Sequence, residues 1–400
     1  MTTELQNTLI LSAVVVVLAI LVWPRVANSR MWRASITPLA SIIGSGFLVL
    51  GPILDVSFGD LAPLAMLGLC AAAWGFGSAI RYNIRDIAHR SDRGAGIERA
   101  ERVASASLSF AYFISVAYYL NLFGSFGVSL TQVDDAFHAR LVTSGVLVLI
   151  LFVGCTRGFS ALERLEQISV GLKLAIIAGL LVGLATYFAE QYSHDALVFD
   201  PPAERGSHAF MLLAGLIVTV QGFETSRYLG HAYDADTRIR SMRWAQLIAS
   251  AVYLIYIGLL TYSVEPGGLV LDETAIIDLM QVVAPILPVL LVIAALSAQF
   301  SAAVADTSGS GGLLSEISGG RVSERTAYTV LVGVGLILTW TSNVFEIISY
   351  ASRAFAAYYA LQAGIAARSA SQQNLPFRAL VFALFCILGA AIAVFGLPVE

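Results

Sequence analysis

The sequence predicts an all-α integral membrane protein of about twelve transmembrane helices, and three observations carry that expectation. Hydrophobic residues make up 58% of the 400 positions, charged residues 12%, and the mean hydropathy is +0.79. Soluble domains do not reach such values. Apolar runs of about twenty residues, enough to cross a hydrocarbon core ~30 Å thick, recur along the whole length. Arginines then fall in alternate connections between those runs, as they do when one side of each loop pair faces the cytoplasm.

In order, the runs lie near 6–23, 34–55, 61–82, 104–128, 139–157, 166–187, 208–231, 244–263, 275–303, 325–341, 343–366 and 376–397. The first is expected to be a retained span, because residues 1–7 carry no positive charge and so make a poor signal peptide. Arg25, Arg30 and Arg33 follow it, and the next connection on that side holds Arg81, Arg85, Arg90, Arg93, Arg99 and Arg102. Arg157 with Arg164, then Arg238, Arg240 and Arg243, then Arg321 with Arg325, and Arg368 with Arg378 continue the series. On the opposite side stand Arg140 and Arg205 alone. The arginine-rich loops are therefore expected in the cytoplasm, with both termini outside a plasma (cell inner) membrane that the chain crosses many times. Cys70, Cys155 and Cys386 show no paired or metal-ligand spacing, so neither disulfide nor zinc site is expected. The five histidines fall in loops or span ends, which leaves no intramembrane metal site in view.

Two spans are built differently from the rest. The second contains Ile42-Ile-Gly-Ser-Gly-Phe47 at its centre, followed by Gly51-Pro52. Glycine weakens a helix and tolerates unusual dihedrals, so this span is expected to unwind at mid-membrane. The seventh has a matching weak point at Gln221-Gly-Phe-Glu224, five spans later. Unwound backbone at that depth is tolerated only where it lines a cavity or is buried in protein. Two interrupted helices at corresponding places in two halves point to a transporter binding site within inverted repeats. Close helix packing by small residues is the plainer alternative.

The sixth run holds Lys173, the only lysine in the chain, within Ile168-Ser-Val-Gly-Leu-Lys-Leu-Ala-Ile-Ile177. The run begins near Arg164, which puts Lys173 roughly 13 Å deep at ~1.5 Å rise per residue. A lysine stem is too short to snorkel comfortably from there. An ionisable group at such depth costs several kcal/mol and is by default a functional candidate.

These residues resemble the amino acid–polyamine–organocation (APC) superfamily, which has the leucine-transporter fold. Ile43-Gly-Ser-Gly-Phe47 is similar to the glycine-serine-glycine signature of the first core helix. Gln221-Gly-Phe-Glu-Thr225 is similar to the signature of the sixth, and Lys173 followed by Leu-Ala-Ile-Ile resembles the fifth-helix lysine of many members. The resemblance implies a 5+5 inverted repeat over 34–187 and 208–366, with an extra helix and linker in 1–33 and a trailing helix at 376–397. It also implies secondary active transport by alternating access, with no enzymatic activity, no cofactor and no nucleic-acid partner.

On that frame, the amides of Ser45, Gly46 and Phe47 start the outer half of core helix 1, facing a substrate carboxylate with a positive dipole end. Carbonyls freed at Ile42 and Ile43, and at Thr219, Val220 and Gln221, face an α-amino group or cation. Gly44 and Gly222 permit the two breaks. Phe223 is the candidate aromatic gate, and Tyr118 or Tyr119 on core helix 3 is expected to lend a hydroxyl, only one of the two facing inward. In sodium-coupled members of the fold a sodium ion bridges helix 1 to paired hydroxyls on helix 8. Here the corresponding positions read Ser301-Ala302, and one hydroxyl makes a poor sodium site. The resemblance gives Lys173 the sodium position, tethering core helix 5 to the Ile43 carbonyl and Ser301, with proton loss loosening helix 1.

Arg353, about nine residues into the eleventh run, reads as a second buried cation. It either recognises an anionic substrate group or pairs with an acid such as Glu346, Glu224 or Asp306. Glu224 rests on its motif, and Asp306 is expected at the cytoplasmic end of core helix 8. The stretch Asp306-Thr-Ser-Gly-Ser-Gly-Gly312 lacks the lysine and βα setting of a phosphate loop, and is expected to be a flexible membrane-edge segment. The combined expectation is a sodium-independent, proton-coupled permease for an amino acid or related small amine. The rivals are transport of a small organic anion through Arg353, and a non-transporting membrane enzyme or sensor.

Overall fold

In the computed structural model, residues 2–44, 46–90, 93–156, 160–265 and 271–398 are described, and every regular element among them is helical. The helices are α1 (Thr3–Val22), α2 (Pro24–Ala27), α3 (Arg30–Ile42), α4 (Gly46–Phe58), α5 (Ala62–His89), α6 (Ala95–Val128), α7 (Ala136–Thr156) and α8 (Ser160–Ser193). There follow α9 (Gly206–Gly215), α10 (Thr225–Tyr228), α11 (Ala235–Ser263), α12 (Ile276–Val283), α13 (Leu287–Ile317), α14 (Glu324–Thr341), α15 (Val344–Gln372) and α16 (Pro376–Phe395).

Eight stretches among the described residues are long and apolar enough to cross a bilayer as they stand. The expected span at 34–55 is split, its second half joining α5 in one stretch, Gly46–His89, and that at 208–231 breaks into short pieces. Those at 325–341 and 343–366 form α14 and α15, which carry Glu324 with Arg325, and Glu346, Arg353 and Arg368. The expected single span at 275–303 is two elements. Ala284-Pro285 ends α12, because proline has no amide proton and pushes its predecessor out of the helical region.

Starts are encoded locally. Ser29 caps α3, Asp234 caps α11 by accepting from the Thr237 amide at 2.8 Å, and Ser323 caps α14. Asn343 and Glu346 close a reciprocal capping box at the start of α15. Asp234 also binds Arg30 at 2.6 Å, which joins the starts of α3 and α11 at the arginine-rich end.

Packing centres on α6, which lies against α13 and α15, while α11 lies against α3 and α5. The N-terminal α1 packs along α8, where a side chain on Gly179 would fall 2.6 Å from Val14. The glycine-rich stretch after Asp306 is no membrane-edge loop: it continues α13 to Ile317. Its small residues let neighbours close in. Gly311 faces the Tyr328 ring, and Ser109 on α6 donates to the Ser310 carbonyl at 3.2 Å. A buried helix with many small residues gains in close packing what glycine costs in propensity.

Candidate functional site

The chain unwinds where the two glycine-containing motifs predict it. The first helix stops at Ile42, Ile43 leaves the helical region at φ −86°, ψ 57°, and α4 restarts at Gly46. Ser45 lies outside the described residues. The second break runs from the end of α9 through a 3₁₀ turn, Ile217–Val220, to α10 at Thr225. Within it Gly222 adopts φ +116°, a conformation that side chains resist.

The two breaks touch each other. A Cβ on Gly46 would sit 2.6 Å from the Thr219 Cα, and one on Gly222 would sit 2.7 Å from the Ile42 nitrogen. Both glycines are therefore required by close backbone approach. Tyr253 on α11 bridges the pair: its hydroxyl lies 3.0 Å from the Ile42 carbonyl oxygen and 2.6 Å from that of Thr219. One O–H proton thus serves an acceptor from each broken helix. No sequence signal singled out Tyr253, which sits in an ordinary apolar run.

Helices α6 and α15 hold the second break. Gln221 donates to the Tyr119 hydroxyl at 2.8 Å, which ties α6 to the second break. Tyr118 is also buried, its ring 5.3 Å from that of Tyr119. Glu224 is fully buried and accepts from the Gly222 amide at 3.0 Å and the Tyr359 hydroxyl at 2.9 Å. The Val218 amide donates to Ser352 at 3.0 Å. Phe223 stacks on Tyr359 at 5.2 Å, and Tyr359 on Phe76 at 5.1 Å, so Phe223 belongs to an aromatic column instead of lining the cavity below.

Lys173 is 1% exposed and its ammonium donates to the Ala40 carbonyl at 2.5 Å. The expected partners were the Ile43 carbonyl and Ser301. Ala40 lies in the last turn of α3, where carbonyls have no partner within the helix and the dipole end is negative. A lysine is held there because it completes that broken end. Ser301 is buried and donates to the Ala298 carbonyl of its own helix at 3.1 Å.

Arg353 is not a buried cation. It is exposed on α15, and its Nε donates to the Ala393 carbonyl at 2.9 Å, in the last turn of α16. The expected acid partner Glu346 is occupied in the capping box. Arg353 thus closes the end of α16. A largely buried pair of charges lies elsewhere: Arg227 on α10 with Glu101 on α6, where Arg227 also donates to Gln362 at 2.9 Å.

A cavity of about 510 Å³ leads from the second break toward the arginine-rich end, between α3, α6, α10 and α13. Asp306 and Tyr112 line its buried floor, Thr37 and Thr225 its walls, and Arg33 and Glu316 its exposed mouth. Asp306 is not at a helix end: it is 3% exposed, mid-helix in α13, and accepts from the Ser115 hydroxyl at 2.5 Å. An acid within an apolar run is the signal that could have found it. The opposite end is filled. Phe47 packs on Tyr256 at 4.5 Å and on Tyr253 at 5.3 Å, and the connection after α8 ties down there through Asp60 to Asp200 and Glu204 to Ser57.

A membrane bundle with two helices broken side by side, and a cavity beside them, is an arrangement that membrane transporters use. Comparison with known proteins agrees: residues 24–396 match a family described as an APC superfamily transporter. The chain belongs to the APC superfamily of transporters. An uncharacterised protein of Aquifex aeolicus (strain VF5) is similar to this APC transporter, 40% identical over 405 positions that cover 99% of this chain and 98% of the relative. Membership makes the paired breaks of this APC transporter, with the adjoining cavity, its candidate transport site.

Proposed function

We propose that this APC transporter moves an amino acid or related small amine across the plasma membrane by alternating access, independently of sodium and coupled to protons through Lys173. The observation that carries this reading is the polarity of the site. Acceptors dominate it: the carbonyls of Ile42 and Thr219 share a single hydroxyl proton, and the buried Asp306 carboxylate faces the cavity. An ammonium group is the ligand such acceptors favour, and the amides at the start of α4 can meet a carboxylate. With the arginine-rich end in the cytoplasm, the cavity is the inward-open route.

The single hydroxyl at Ser301-Ala302, turned to its own helix, supports sodium independence, since hard cations need a full shell of oxygens. Lys173 supports proton coupling. Its charged bond to the end of α3 is roughly twice as strong as a neutral one, so deprotonation weakens the tie between α8 and the first broken helix. A transporter family also argues against the enzyme reading.

Thermal-shift screening of the purified protein against amino acids, simple amines and carboxylic acids tests the ligand class. A true ligand at ~100 times its Kd adds about 2.7 kcal/mol of stability. Stabilisation by acids that lack an amine, with none by amines, would sink the amine reading. Uptake of the best ligand into liposomes, across a pH gradient and with sodium absent, tests coupling. A Lys173→Ala protein that kept full pH-dependent uptake would remove Lys173 from the proton role.

A further inference from the structure

A second cavity lies away from the broken helices. A groove of about 570 Å³ lies on the side of the bundle at its arginine-rich end, between the end of α5 and the starts of α11 and α16. Five arginines line it: Arg81, Arg85, Arg90, Arg243 and Arg378. One carboxylate, Asp86, shares the groove, and it is already bound by Arg90, by Arg93 at 2.8 Å and by Ser369 at 2.6 Å. Arg81 is buried at the base, held by the neutral Gln246 side chain and lying 4.6 Å over the Trp74 ring. Arg85, Arg243 and Arg378 are exposed at the rim, with no carboxylate within ion-pair distance among the described residues. The groove therefore holds an uncompensated positive charge of several units.

The remaining lining combines the polar Ser78, His89 and Gln373 with an apolar wall. Trp74, Leu375, Val381 and Phe382 form that wall, and Phe377 at the start of α16 is 77% exposed. Aromatic residues at that level mark the headgroup boundary of a bilayer. A soluble anion has no use for the apolar wall, and an acyl chain alone has none for the arginines. A lipid with a phosphate head uses both. Basic pockets between transmembrane helices on the cytoplasmic side suit such heads.

We infer that this groove binds one anionic phospholipid, with its phosphate among Arg81, Arg243 and Arg378 and an acyl chain along Trp74 and Val381. The site is separate from the transport cavity, since the two share no lining residue.

Trp74 provides the readout. The full-length protein is reconstituted in mixtures of phosphatidylcholine with brominated phosphatidylglycerol, and with the bromines exchanged to the other lipid. The fluorescence lost between the native protein and Trp74→Phe isolates quenching at this groove from that of the other four tryptophans. The expected result is preferential quenching by the anionic lipid, about five-fold weaker for each of Arg243→Gln and Arg378→Gln. Arg243→Lys with Arg378→Lys is expected to keep most of the preference, which separates charge from fold. Equal quenching by both lipids overturns the inference. So does a preference unchanged in the double glutamine variant. Displacement of the anionic lipid by millimolar inorganic phosphate also overturns it, because it makes the groove a soluble-anion site.

Discussion

Tyr253 and Tyr256 lie one turn apart on α11, both fully buried and both packed on Phe47, yet their hydroxyls stand in opposite situations. That of Tyr253 serves the Ile42 and Thr219 carbonyls, and that of Tyr256 has no hydrogen-bond partner among the described residues. Substituting each by phenylalanine removes one oxygen and keeps the ring. For Tyr253→Phe, two buried acceptors lose the one proton they share, which costs about 1–3 kcal/mol. The void beside Tyr253 is about 10 Å³, at the lower limit for a water molecule. Deleting the oxygen enlarges it, and a water that enters brings the cost toward the lower end. At about 2.1 cal/mol/K of unfolding entropy per residue, this corresponds to a fall in Tm of roughly 1–4 °C. Tyr256→Phe is expected to leave Tm unchanged or raise it, because the desolvation of an unpaired hydroxyl is relieved. Thermal unfolding of the two variants side by side in one detergent makes the comparison. Equal losses, or no loss in Tyr253→Phe, would refute the idea that this hydroxyl holds the two breaks together.

The other predictions concern the surrounding frame. Gly222→Ala forces a side chain into a positive-φ position and against the Ile42 backbone, so it is expected to lose several kcal/mol or fail to fold, as expression and melting would reveal. Glu101→Gln strips the buried Arg227 of its carboxylate and is expected to cost about 3 kcal/mol, read as a depressed melting temperature that double substitution with Arg227→Met partly restores. Arg353→Ala removes one exposed bond to the end of α16 and is expected to change stability by less than about 1 kcal/mol. Ligand-induced thermal shifts should survive it intact, and their loss would return Arg353 to the site.

The sequence by itself determined that the chain lives in a membrane, which two helices break, and where the lone lysine lies along its run. Each of those is a property of composition or of glycine chemistry, which acts over a few residues and needs no knowledge of neighbours. Caps behave the same way: Asp234 and Asn343 encode their helix starts on the spot. Only the tertiary structure decided which groups meet. Lys173 answers the Ala40 carbonyl one turn before Ile43, because the last turn of α3 is where unpaired carbonyls point. Arg353, nine residues into its run, turned out to face outward, since depth along a helix says nothing about which side a residue occupies. Asp306 moved from an expected helix end to the floor of the cavity, because small residues that weaken an isolated helix sustain a packed one. Tyr253 was legible nowhere in the sequence: its role exists only once two segments some 180 residues apart bring their freed carbonyls to one hydroxyl.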